Sequence, residues 1–171
     1  FNTSNSNLPS NVVWNIQKDT FGRIWCSTEK GLALFDPIEK KFNVFDHKRT
    51  SWKSERIRCV QIININELYV GTSKGFIRYN ISNNESTIHT HDKSSPLSIH
   101  HDFILKIFKD SKDRVWIGTY GGGLILFDEK TNSFKHWTIE DGLCNNFICN
   151  ILEGNDGNLW LSTSDGLSCF N

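Results

Sequence analysis

Four segments of this 171-residue chain say nearly the same thing. They are "GRIWCSTEKGLALFD", "NELYVGTSKGFIRYN", "DRVWIGTYGGGLILFD" and "GNLWLSTSDGLSCFN". Each carries an aromatic anchor: Trp25, Tyr69, Trp116 and Trp160, separated by 44, 47 and 44 residues. Thr28, Thr72, Thr119 and Thr163 each follow their anchor by three positions. A turn-forming residue precedes each anchor by three: Gly22, Asn66, Asp113 and Gly157. Phe35, Tyr79, Phe127 and Phe170 close the segments, the third after one inserted glycine. A fourfold register of this kind restricts the chain to a repeat architecture.

Each repeat reads as short strands. An apolar run ("VVWNIQKD", "IRCVQIIN", "FILKIFKD", "FICNILEG") leads into a tight turn, then the anchor strand. A turn ending in glycine and an alternating third strand follow, and a weaker fourth strand appears in three repeats, as in "KFNVFD" and "SFKHWTI". Turns rich in Gly, Asn and Asp suit hairpins, because those residues tolerate positive φ. Four antiparallel strands per repeat predict an all-β chain, a β-propeller of four tandem blades with the last incomplete. The expected blades span 11–46, 57–91, 103–139 and 147–171 of one segment. The "GGG" of Gly121–Gly123 sits where "EKG", "SKG" and "SDG" sit elsewhere. It reads as a turn with one insertion, not a phosphate-binding loop, because no strand–loop–helix context surrounds it.

Composition narrows the function. Nineteen basic and nineteen acidic side chains balance, which argues against a polyanion footprint. No apolar run approaches the length of a membrane-spanning helix. The five cysteines form no C-x-x-C pair. Cys26 and Cys169 replace aliphatic residues of other repeats and read as small core hydrophobes. Cys144 and Cys149 read as free thiols, with a disulfide as the alternative. No cofactor or metal site is expected. The histidines His89, His91, His100 and His101 read as solvated, and Asp110 with Asp113 offers too few oxygens for calcium.

"LPSNVVWNIQKDTFGRIWCSTEKGLALFD" and "GLCNNFICNILEGNDGNLWLSTSDGLSCFN" resemble the regulator-propeller repeat. Leu8 with Asn11, and Leu143 with Asn146, match the family's Leu-x-x-Asn lead-in; Asp19 with Gly22 matches its turn. The third repeat departs at Asp113, and the second at Tyr69 and "NINE". The resemblance implies an arc of a larger ring, about seven blades in all. A closed four-bladed ring is the alternative. It further implies a periplasmic sensor region of a hybrid two-component protein that recognises polysaccharide-derived oligosaccharides, with a membrane anchor and kinase outside this segment. On that view the segment is no enzyme and contacts neither nucleic acid nor membrane. Its terminal blades would expose apolar faces and invite self-association or the remaining blades.

Ligands of propellers bind where inter-blade loops and middle-strand turns share a face. A sugar needs a flat aromatic beside polar groups. Trp52, Lys53, Arg56, His101 and Tyr120 are the expected contacts, Trp52 because it breaks the repeat within a polar loop. A protein-interaction scaffold and a propeller-type lyase are the competing functions. A lyase would need clustered acid, base and electrophile groups, and no such set stands out.

Overall fold

A computed structural model describes residues 1–46, 50–52, 54 and 56–171. Four antiparallel sheets follow in chain order. The first contains β1 (Val13–Lys18), β2 (Ile24–Thr28), β3 (Gly31–Asp36) and β4 (Lys41–Phe45). The second contains β5 (Ile57–Ile62), β6 (Glu67–Thr72), β7 (Gly75–Asn80) and β8 (Glu85–His89). The third contains β9 (Ile104–Lys109), β10 (Val115–Thr119), β11 (Leu124–Asp128) and β12 (Ser133–Trp137). The fourth has three strands, β13 (Ile148–Glu153), β14 (Leu159–Thr163) and β15 (Gly166–Phe170). Each is a sequential meander, the blade of a β-propeller.

The hairpins follow from the turn residues. Gly22, Gly157 and Asp113 occupy the same turn position at φ 79°, 79° and 60°. Aspartate is among the few residues that accept this conformation, so the third repeat keeps the turn without glycine. The recurring threonine has one task throughout. Thr28, Thr72, Thr119 and Thr163 donate to the carbonyls of Gly31, Gly75, Gly123 and Gly166 at 2.7–3.0 Å. The same hydroxyls accept backbone N–H groups of Lys30, Lys74, Gly122 and Asp165, so each closes its own turn.

Two compact units divide the chain, Phe1–Ile88 and His89–Asn171. In the first, Trp25, Leu32 and Phe45 pack with Ile57, Val60, Leu68 and Val70 of the second sheet. Asn15 and Gln17 of β1 accept the backbone N–H groups of Val60 and Ile62, tying the inner strands together. In the second unit, Trp116 and Leu124 pack with Ile148, Ile151, Leu159 and Leu161 of the fourth sheet. Each such side chain contributes roughly 1.5–3 kcal/mol when fully buried. Leu8 and Leu143 of the two lead-ins are buried. Asn11 and Asn146 accept the backbone N–H groups of Thr3 and Ile139, so the lead-in anchors one residue and latches the loop with the other.

The anchors are secured by buried carboxylates. Asp110 accepts Arg114 Nε at 2.6 Å, Trp116 Nε1 at 2.8 Å and the backbone N–H groups of Lys112 and Arg114. Burial pushes its carboxyl upward, yet the Trp116 bond and those from Arg114 and Lys112 hold it below its ordinary value. Asp19 makes the same set with Arg23, Trp25 and Phe21. In the second sheet Glu67 and Arg78 pair at 3.0 Å, and Arg78 lies over Tyr69. These acidic groups are therefore structural. Among the described residues no disulfide joins Cys144 to Cys149, and Cys169 is exposed rather than buried. Trp160 also departs from its mates, at 39% exposed against 0% for Trp25 and 2% for Trp116.

Candidate functional site

Tyr120 stands at the end of β10, where the chain leaves the sheet for the triple-glycine turn. Its backbone N–H donates to the Phe103 carbonyl at 2.9 Å, and it forms an isolated antiparallel bridge with Phe147. Three aromatic rings thereby converge. Phe103 stacks on Tyr120 with centroids 5.3 Å apart and planes 16° apart. Phe147 closes from another side at 4.2 Å and 59°. Tyr120 remains 48% exposed, so the cluster presents a ring to solvent instead of sealing it away.

His101 completes the group, its ring 6.2 Å from Tyr120. Its Nδ1 accepts the Phe103 backbone N–H at 3.0 Å. The neutral ring therefore carries its proton on Nε2, a donor with no partner among the described residues. The glycine turn makes this approach possible. A Cβ on Gly122 would lie 2.8 Å from His101 Cβ. Gly121 and Gly123 donate their N–H groups to the Asn146 carbonyl at 3.1 and 2.9 Å. The lead-in asparagine thus pins the turn from one side while His101 covers it from the other. An aromatic platform beside a hydroxyl and an imidazole N–H can hold the apolar face of a ring and bond groups at its edge.

Histidines also brace the loop that carries His101. His91 Nδ1 meets the Ile99 carbonyl at 2.8 Å, and the His91 backbone N–H donates to Asp102. His136 Nε2 donates to the Ser98 carbonyl at 2.9 Å. The His100 ring stacks on His136, centroids 3.4 Å apart and planes 2° apart. His89 packs against Phe127 and Phe134. The expectation of solvated histidines holds for His91 and His100, which are exposed, and is corrected for His89, which packs on Phe127 and Phe134, and His101, which is half-buried. Burial, then the neighbouring His100, lowers the His136 pKa from 6.5 to about 4, against the opposing bond to Ser98. Its Nδ1 is buried and has no partner among the described residues, so a proton added there finds no acceptor among them. The stability this neutral ring confers is present above pH 6.5 and lost as pH falls toward 4. Melting curves over that range should show a loss on the order of 2–3 kcal/mol, flattened in His136→Phe.

Of the five expected contacts, the structure brings two together, His101 and Tyr120. Trp52 is corrected: it is 3% exposed and packs edge-on to Tyr79 at 5.1 Å, inside the core of the first unit. Its indole is too large and apolar to stay in water when a gap beside Tyr79 accepts it. Arg56 belongs to the first unit, where it is exposed and pairs with Glu29 at 3.9 Å. Lys53 lies outside the described residues. Phe103 and Phe147 were missed. A signal existed: both immediately precede an inner strand, the position that Arg56 holds in the second repeat. Among the described residues no group of His, Cys, Asp and Glu could hold a metal ion.

Residues 7–30, 98–121 and 142–165 match the model of the two component regulator propeller family. Two extracellular domains from B. thetaiotaomicron are similar in structure. One, described as part of a one component system, is 22% identical over 99% of this chain, with a TM-score of 0.81. The other, described as part of a hybrid two component system, is 29% identical over 96% of this chain, with a TM-score of 0.75. This chain spans 22% of the length of each. Virginiamycin B lyase from Staphylococcus aureus is 12% identical, covered over 72% of its length by the whole of this chain, with a TM-score of 0.55, a likeness of fold alone. No curated protein sequence matches.

Proposed function

Because the chain carries two-component regulator propeller repeats, we propose that it is an extracytoplasmic sensor segment that binds a polysaccharide-derived oligosaccharide and performs no chemistry on it. The supporting observation is the exposed Tyr120 held between Phe103 and Phe147, with the free Nε2–H of His101 beside it. A pyranose ring has an apolar C–H face and a rim of hydroxyls, and this cluster offers a counterpart for each. The similar extracellular domains favour a periplasmic place, with the signal passed to a kinase that is not among these residues.

Calorimetric titration with a panel of neutral and acidic oligosaccharides tests this, with chromatography of the sugar afterwards. Saturable binding with the sugar recovered intact is expected. Tyr120→Ala and Phe147→Ala should each weaken binding about tenfold, roughly 1.4 kcal/mol, at unchanged stoichiometry. Affinity untouched by both substitutions would remove the cluster from the site. Cleaved sugar would make the segment an enzyme, and a lyase where the product carries a new C=C bond. Retention of a protein partner with no sugar binding would make it a scaffold.

A further inference from the structure

The loop that carries His101 is fastened by imidazoles. Its last part, residues 98–101, lies against the triple-glycine turn. A Cβ on Gly122 would come within 3.2 Å of the His100 carbonyl carbon and 2.8 Å of His101 Cβ. Histidine rings hold the two carbonyls just before that contact: His136 Nε2 donates to Ser98 and His91 Nδ1 to Ile99. The Ile99 side chain between them is buried. The His100 ring lies flat on that of His136, with 3.4 Å between centroids. His101 follows directly, its Nδ1 on the Phe103 N–H and its ring beside Tyr120.

This fastening holds only while the stacked rings stay neutral. His136 can take a proton only at Nδ1, which is buried with no partner among the described residues. A proton on His100 as well sets two cations face to face, and like charges in contact repel. Little around the pair offsets this. His91 comes from the same loop and adds a third positive charge in acid, since its second proton goes to Nε2 while Nδ1–H stays on Ile99. On β11 the residue opposite His136 is apolar, Ile125, and Lys135 lies over Trp137 on the other face of β12. His89 packs on Phe134, two residues before His136. Asp92 attracts His91, and Asp102 accepts the His91 backbone N–H. Among the described residues no carboxylate bonds the ring of His100 or His136. Burial and His91 lower the His100 pKa, as burial and His100 lower that of His136. Taking the Tyr120 cluster as the sugar site, on which this rests, we propose that the stacked His100 and His136 form an acid-released latch on it. Protonation parts the rings, frees residues 98–101 from the glycine turn and withdraws His101 from the sugar. Each ring regains its ordinary pKa once apart, so every pH unit below about 6.5 favours the released loop by up to about tenfold per proton.

Amide hydrogen exchange at about pH 7.5 and 5, corrected for its intrinsic pH dependence, tests the latch without sugar. The N–H groups of His91 and Phe103 are bonded to Asp102 and His101. Their protection should fall about tenfold in acid while β10 stays protected. Neutral oligosaccharides carry no titrating group, and their affinity should fall about tenfold over the same range. His136→Gln keeps an N–H for the Ser98 carbonyl and takes no proton, so both losses should shrink to about twofold or less. His100→Gln alters an exposed side chain and removes one of the two charges, so release should move to lower pH. Protection of the loop that is equal at both pH values overturns the latch. So do losses that persist in full in His136→Gln, which would assign them to His101 itself, or an unmoved release in His100→Gln. A loop that opens in acid in a chain that binds no sugar at either pH would overturn the sugar reading and leave the latch standing.

Discussion

Replacing Trp52 with alanine should cost the first unit about 3–5 kcal/mol, the range for emptying a buried aromatic site. Trp52 is 3% exposed and lies in the cluster formed by Trp25, Phe45, Ile57, Val60 and Tyr79. Its ring meets Tyr79 edge-on at 5.1 Å and 88°, an arrangement that adds attraction beyond area alone. Neighbours on two sheets line the site, so neither sheet can collapse into the space without losing its own packing. The melting transition should fall by roughly 10 °C or more, since each kcal/mol shifts a domain this small by several degrees. Trp52→Phe separates the contributions. Among the described residues the buried indole N–H has no partner, so the phenyl ring removes an uncompensated polar group while keeping most of the contact. It should lose less than half as much. Equal losses for the two variants would show that the whole indole shape is required. An unchanged melting temperature in Trp52→Ala would place the side chain back in solvent, where the sequence had suggested it.

Gly123→Ala should be strongly damaging to the second unit, at about 3 kcal/mol or more. Two effects add. Gly123 has φ +77°, a conformation costly for alanine. Its missing Cβ also points at the Trp137 carbonyl oxygen, and a methyl group there would run into backbone that cannot step aside. Its N–H donates to Asn146 and its carbonyl accepts from Thr119, so displacing it disturbs the turn on both sides. The same displacement moves Tyr120 and His101, so oligosaccharide affinity should fall with stability. Thermal unfolding followed by circular dichroism checks the first effect, titration the second. Gly142→Ala serves as the control: it has φ +97° but nothing within 4 Å of its Cβ direction. The gap between the two losses measures the clash apart from the backbone strain.

The legible part of this molecule was its repeating part. Trp25, Thr28, Trp116 and Thr119 recur because each blade solves one packing problem and one turn problem in the same way. A period in the sequence therefore carries over directly to strands, hairpins and a blade core. The half-legible part lay in residues that share a role without sharing an identity. Phe103 and Phe147 precede inner strands just as Arg56 does, but an aromatic ring beside a strand start also reads as ordinary core. Their convergence on Tyr120 depends on the bridge between Tyr120 and Phe147, a contact between neighbouring blades. Nothing within one repeat encodes that distance.

By itself the sequence determined the strand order, the turn chemistry and the propeller class, because these follow from local periodicity and from residues that tolerate particular φ angles. Only the tertiary structure decided which side chains face water. Trp52 stands in a polar loop yet fills a core, since the hydrophobic gain depends on what surrounds the ring in space and not on its neighbours in the chain. Trp160 stands in register with two buried tryptophans yet meets solvent, since burial of a blade face is supplied by whatever packs on it.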